Sequence, residues 1–313
     1  MLEIALMIEG QNGLNWQRWQ RIARAAEELG FAGLFRSDHF TNANPPDLDS
    51  LELWVSLTWL ASHTQRIQFG PLVTPASFRH PALTARMAAA VDDLSNGRLV
   101  LGLGAGWQER EHHLYGFELL DVEQRFARFE EALEVILLLL HSEAPVEYSG
   151  NYYQLNGAIL LPRPARRNGP PILVGGNSLR HTLPLAARFA DEWNAVYIPA
   201  TRFRELNARL DELLQALGRE PGEVRRSLMT GCVLGSDADD VQRKVQLRTK
   251  GKISADELRQ RGLIIGTPAE FQDQLRQLAE AGVQRVMLQW LELDDMAGLE
   301  LLADKVLPAF RQP

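Results

Sequence analysis

Short apolar runs alternate with longer segments in which apolar residues recur every three or four positions, and the alternation repeats eight times along the chain. Buried strands are expected at Glu3–Ile8, Leu34–Ser37, Ile67–Val73, Leu99–Gly104, Ile172–Val174, Glu192–Val196, Leu228–Leu234 and Arg285–Gln289. The segments between them read as amphipathic helices. In the first, Trp16, Trp19, Ile22, Ala26 and Leu29 share a face, while Arg18, Arg21, Arg24 and Glu28 take the others. Asn15 precedes it as N-cap, Gly30 supplies the left-handed residue that ends it, and Phe31 is the apolar contact that follows. Thr267-Pro268 opens a late helix and Gly282-Val283 closes it in the same way.

Eight strands, each followed by a helix, predict an α/β fold of the (β/α)8 TIM-barrel type. A minimal barrel takes about 250 residues. The surplus of this 313-residue chain is expected in insertions near residues 38–50, 105–121, 142–171 and 251–266 of one domain spanning 1–313. The third insertion holds Val146-Glu-Tyr-Ser-Gly-Asn-Tyr-Tyr-Gln-Leu, two alternating arms around a turn, hence a small hairpin. An open doubly wound sheet is the alternative; the count of eight and the uniform composition favour closure.

Composition narrows the class. With 45% hydrophobic and 23% charged residues the chain is not a disordered one. Folding is expected to reduce its accessible surface from roughly 51,000 to roughly 13,000 Å², enough for a large core. Net charge of −7 argues against nucleic-acid binding. A lone Cys232 makes neither an internal disulfide nor a cysteine-based zinc site and fits a reducing compartment. The start lacks a basic segment and turns polar at Glu9, so it reads as a strand and not a signal peptide. The longest apolar run, Val135 to Leu140, is too short to span a bilayer. A cytoplasmic protein without nucleic-acid or membrane partners is expected.

In a barrel the chemistry lies on loops after the carboxyl ends of strands. Asp38-His39 follows the second strand, and a carboxylate beside a histidine sets its tautomer or raises its pKa. Gly102-Leu-Gly-Ala-Gly-Trp lacks the spacing of a dinucleotide fingerprint and reads as a strand end that lets a ligand approach at Ala105-Gly106. Gly175-Gly176-Asn177-Ser178 bares amides before a helix whose cap is expected at Thr182. In physical terms that is a phosphate site, with Arg180 and His181 able to supplement it. Glu109, Glu111, His112 and His113 have metal-capable side chains but no third-ligand spacing, so they read as a solvated face and no metal is expected. Trp107 and Tyr115, with Glu111, are candidates for the wall of a substrate pocket. Arg163, Arg166 and Arg167 read as a solvated run.

Six stretches, in order, resemble the luciferase-like monooxygenase superfamily and specifically its F420 (deazaflavin)-dependent branch. They are Ala26-Glu-Glu-Leu-Gly-Phe-Ala-Gly-Leu-Phe-Arg-Ser-Asp-His-Phe, Phe69-Gly-Pro-Leu-Val-Thr-Pro-Ala-Ser-Phe-Arg-His-Pro-Ala, Leu94-Ser-Asn-Gly-Arg-Leu-Val-Leu-Gly-Leu-Gly-Ala-Gly-Trp, Pro171-Ile-Leu-Val-Gly-Gly, Ala190-Asp-Glu-Trp-Asn and Gly266-Thr-Pro-Ala-Glu-Phe. The resemblance implies a barrel, usually homodimeric, with the ring of F420 or, alternatively, FMN across its mouth. It places Asp38 and His39 beside the ring, with His39 the proton donor or acceptor. Leu72–Val73, followed by Thr74, matches a strand-three bulge that often carries a non-proline cis peptide. Ala105 and Gly106 would line the ring edge, and Gly175, Gly176, Asn177 and Ser178 would hold the phosphate. Sugar-phosphate dehydrogenases of this branch carry Glu where Trp107 stands, together with lysines that have no equivalent here, so the resemblance implies an uncharged or aromatic small-molecule substrate. The activity implied is hydride transfer between F420 and that substrate. An FMN monooxygenase and a flavin-binding barrel without turnover are the alternatives.

Overall fold

The computed structural model describes residues 2–311. Its first half runs β1 (Glu3–Ile8), α1 (Trp16–Glu28), β2 (Gly33–Arg36), α2 (Leu53–His63), β3 (Gln68–Pro71), β4 (Thr74–Pro75), α3 (Pro81–Leu94), β5 (Leu101–Gly104), α4 (Glu109–Tyr115) and α5 (Val122–His141). A hairpin follows, β6 (Val146–Ser149) with β7 (Gln154–Ala158). The second half runs β8 (Ile172–Gly175), α6 (Thr182–Phe189), β9 (Glu192–Val196), α7 (Ala200–Ala216), β10 (Arg225–Leu234), α8 (Ala238–Thr249), α9 (Ala255–Gln260), β11 (Ile264–Gly266), α10 (Pro268–Glu280), β12 (Arg285–Gln289) and α11 (Met296–Lys305).

The parallel sheet has the order β3-β2-β1-β12-β10-β9-β8-β5-β4. Phe69 of β3 bridges to Leu99, and the Val100 N–H donates to the Phe69 carbonyl at 2.8 Å, which closes the ring. β3 and β4 are one barrel strand interrupted at Leu72–Val73, whose peptide is cis. Counting them together gives the eight staves expected. Alternation along each stave separates two apolar layers. On β1, Ile4, Leu6 and Ile8 face the helices, while Ala5 and Met7 join Phe35, Val100, Leu173, Met229 and Met287 inside the barrel. The caps also fall where expected: the Asn15 side chain accepts the Arg18 N–H at 3.1 Å, Gly30 has φ +85°, and Thr267 forms a capping box with Glu270. Among the described residues no helix is long and apolar enough to cross a membrane.

Departures from the expected pattern have local causes. Two insertions carry structure of their own, α4 in one and α9 with β11 in the other; β11 pairs with the far end of β10 through Cys232 and Ile264. β10 begins at Arg225, ahead of its apolar run, because charged residues close the barrel floor: buried Arg285 pairs with Glu192 at 2.9 Å and with Glu3, and Glu3 with Arg225 at 3.0 Å. Nor is the arginine run merely solvated. Arg163 donates to the Leu139 and Leu140 carbonyls at the end of α5, and Arg166 pairs with buried Asp92 at 2.9 Å.

Candidate active site

The carboxyl ends of the staves surround a cavity of about 420 Å³. Its wall is apolar over Met7, Leu72, Val73, Pro75, Trp107, Val196 and Met229, and polar at Glu9, Ser37, His39, Glu111, His112, Asn194 and Tyr197, with Gly106, Gly175 and Gly176 between. A larger depression of about 990 Å³ lies between α8 and α9, lined by residues of α8, α9 and their connection, with Glu270 of α10. The strand ends, where barrels keep their chemistry, are elsewhere.

His39 stands at the end of the second stave. Its Nδ1 lies 2.7 Å from Glu111 Oε1, and the other oxygen of that carboxylate accepts the Phe40 N–H at 2.8 Å. Glu111 is 1% exposed. A buried carboxylate at Nδ1 fixes that nitrogen as donor and leaves Nε2 for proton exchange. Burial works to lower the His39 pKa, but the hydrogen bond and charge of Glu111, with Glu9 and Asp38, outweigh it and raise the pKa above its ordinary value. The Trp107 indole meets His39 edge-on, centroids 5.7 Å apart.

Asp38, expected to orient His39, faces the other way. It accepts from Thr74 Oγ1 at 2.6 Å and from the Arg79 guanidinium, because successive residues at a strand end point to opposite sides. Asp38 and Thr74 therefore tie β2 to the strand-three bulge and do not line the cavity. Ala105 is buried outside the lining, and Tyr115 packs on Phe40 at 4.6 Å outside the cavity.

The glycines have separable reasons. A side chain at Gly104 or Gly175 would meet Val73, at 2.6 and 3.0 Å from an added Cβ, so these two make room for the bulge rather than for a ligand. Gly106, at φ +87°, turns the chain beside Ser77 and lines the cavity. Gly175 and Gly176 line it too, but the Gly176 N–H already donates to the Asn194 carbonyl at 2.9 Å. The Asn177 side chain clamps Val196, donating to its carbonyl at 2.7 Å and accepting its N–H at 2.9 Å. Ser178 Oγ accepts the His181 N–H, and Thr182 is the first helical residue of α6 rather than its cap. The expected cradle thus keeps its backbone approach and loses one amide and one side chain. Arg180 pairs with Glu123 at 3.1 Å.

Glu109 and His113 are exposed, whereas His112 is buried: its Nδ1 donates to the Gln108 carbonyl at 2.7 Å, and Ser77 Oγ lies 2.7 Å from its Nε2. A chain of hydrogen bonds also lines the opposite wall. The Tyr197 phenol donates to Gln289 Oε1, and Gln289 Nε2 donates to Glu9 at 2.6 Å. Burial and the Glu9 charge push the Tyr197 phenol up to about 12, so it stays neutral. Its backbone sits at φ +50°, a strained position for a bulky residue and common at working sites. Glu9 and Tyr197 follow the first and sixth staves, so the strand-end rule marks both; no local motif does.

The family model of luciferase-like monooxygenases matches residues 3–254. The F420-dependent glucose-6-phosphate dehydrogenase of Intrasporangium calvum is 26% identical over 319 aligned positions, covering 91% of this chain and 92% of that enzyme. The phthiodiolone/phenolphthiodiolone dimycocerosates ketoreductase of Mycobacterium tuberculosis is 32% identical over 232 positions, 72% of this chain and 57% of the ketoreductase. In fold, an F420-dependent secondary alcohol dehydrogenase in complex with an F420–acetone adduct is similar at a TM-score of 0.87 and 20% identity, over 99% of both chains. By sequence and by architecture, this chain belongs to the luciferase-like monooxygenase family.

Proposed function

We propose that the chain is an F420-dependent oxidoreductase that moves a hydride between the deazaflavin and a small, uncharged organic molecule, with His39 handling the accompanying proton. The observation that carries this is the His39–Glu111 pair at the wall of an apolar cavity that, among the described residues, no lysine or arginine lines. Its similarity to F420-dependent relatives supports the cofactor.

The residues present fit the group. Gly106, at φ +87°, leaves backbone bare at the cavity wall where a flat ring would lie, and Leu72 and Val73 offer it an apolar surface. The loop from Gly176 to His181 would carry the anionic tail towards α6. F420, when bound, would supply the hydride for reduction and accept it for oxidation. Leu72, Val73 and Met229 would exclude water from the bound group and, with Gly106, would hold it in place. His39 Nε2 gives a proton to the substrate oxygen during reduction and takes one during oxidation, while Glu111 holds Nδ1–H in both directions. Because its raised pKa favours the protonated ring, His39 is better suited to the donor role.

A homodimer fits the outer surface: Val55 on α2 and Leu83 and Leu94 on the adjacent α3 are large apolar side chains left exposed. Cytoplasmic residence suits the single buried thiol of Cys232. The cofactor assignment is tested by titrating the protein with F420 and with FMN while following cofactor fluorescence. Saturable binding with a clear preference for F420 is expected; tighter binding of FMN would replace hydride transfer by flavin monooxygenase chemistry.

A further inference from the structure

Hydrogen bonds give the cavity wall opposite His39 a fixed polarity. Glu9, which follows β1, is a carboxylate and can only accept. Its Oε1 takes the Gln289 Nε2–H at 2.6 Å, and its Oε2 takes the Gln11 Nε2–H at 2.9 Å. With both amide nitrogens turned to Glu9, the two amide oxygens need donors of their own. The Tyr197 phenol supplies one, and Ser37 Oγ, at 2.7 Å, supplies the other. Ser37 Oγ accepts the Gly10 N–H at 2.8 Å. Asn194 donates its side-chain N–H groups to Ser227 Oγ at 2.9 Å and to Met287 Sδ at 3.6 Å. Glu9, Ser37, Asn194 and Tyr197 all line the cavity, and what their side chains leave for a guest is lone pairs.

Glu9 is also the acid without a positive partner. Glu111 has His39 and Asp38 has Arg79, whereas among the described residues no lysine or arginine lines the cavity. A half-buried carboxylate beside apolar walls costs free energy unless its remaining hydrogen bonds are made. After burial and Glu111 it is the Glu9 charge that acts most on His39, and after burial it acts most on Tyr197. The accepting wall therefore stands near the proton-handling end of the cavity.

We propose that Glu9 is the specificity-determining residue of this cavity, and that the substrate carries, besides the group that exchanges a proton with His39, an O–H or N–H that donates to Glu9. A molecule without that donor would leave the carboxylate stranded. That the guest is the partner in hydride transfer rests on the F420-dependent function above; the need for a donor rests on the network alone.

Calorimetric titration of the cofactor-free protein with phenol and with anisole tests it, because the two differ by a methyl cap on one O–H. Apolar burial alone would favour anisole by about fourfold, so the sign of the difference is diagnostic. Phenol should bind about tenfold tighter. Glu9→Gln should abolish that preference, and Glu9→Met should do so if the first variant fails to fold. Anisole binding as tightly as phenol overturns the proposal, as does a failure of phenol to bind or a preference that survives in the variant. The same pair is then titrated into the F420-loaded protein, where the preference should persist. Its loss there would give Glu9 to the cofactor ring and overturn the substrate assignment. Failure to take up F420 overturns the cofactor assignment instead, and the cofactor-free ratio still reads the donor requirement.

Discussion

His39 owes its chemistry to a residue seventy-two positions away in the chain. Replacing it by alanine should lower kcat by about 10² to 10⁴-fold while leaving F420 affinity within a few-fold, as measured by steady-state kinetics beside fluorescence titration. Glu111→Gln keeps the shape and removes the charge, and its effect should appear in the pH profile. With protonated His39 as the proposed donor, the rate of substrate reduction should fall as pH rises through its pKa. Without the Glu111 charge that pKa drops, and the fall moves to lower pH; a profile that does not move would remove Glu111 from the proton chemistry. The sign for stability follows from the same raised value: the pair's contribution is complete below the unfolded histidine's value of about 6.5 and is lost as pH rises through the folded one. The sequence marked His39 by its place after a strand. It could not name its partner, because Asp38 is adjacent in the chain yet turned away, and Glu111 comes from α4, after the stave two further on.

At the scale of elements, helix ends were the most readable features, since each is fixed by a few adjacent residues: Asn15 and Gly30 for α1, Thr267 and Gly282 for α10. α4 and α9 were not readable. Helices of seven and six residues have little intrinsic stability and exist through what they pack against. The loop Gly175–Ser178 was legible as a site but not in its division of labour. Asn177 satisfies both backbone groups of Val196 and so holds the end of β9 from which strained Tyr197 projects. Asn177→Ala should therefore cost about 1–3 kcal/mol, seen as a lowered urea midpoint at unchanged slope. An unshifted midpoint would return Asn177 to the ligand-binding role expected from its neighbours.

For the whole molecule, eight repeats of one alternation in one composition regime favoured a closed barrel over an open doubly wound sheet, although either would bury both faces of apolar staves. The charged floor around Arg285 was invisible, since only the assembled ring brings Glu3, Glu192 and Arg285 together. The proposed dimer rests on α2 and α3. Sedimentation should give twice the 35.2 kDa of one chain, and Val55→Asp with Leu83→Asp should halve it; a monomeric parent would remove the dimer from the proposal. The packing of Val73 over Gly104 and Gly175 carries a last consequence. One isopropyl group stands in for side chains that two neighbouring staves lack, so the depth of the reaction chamber is metered at a single position. Trimming that side chain to alanine should admit a bulkier occupant, and enlarging it should exclude one, with His39 and Glu111 left in place.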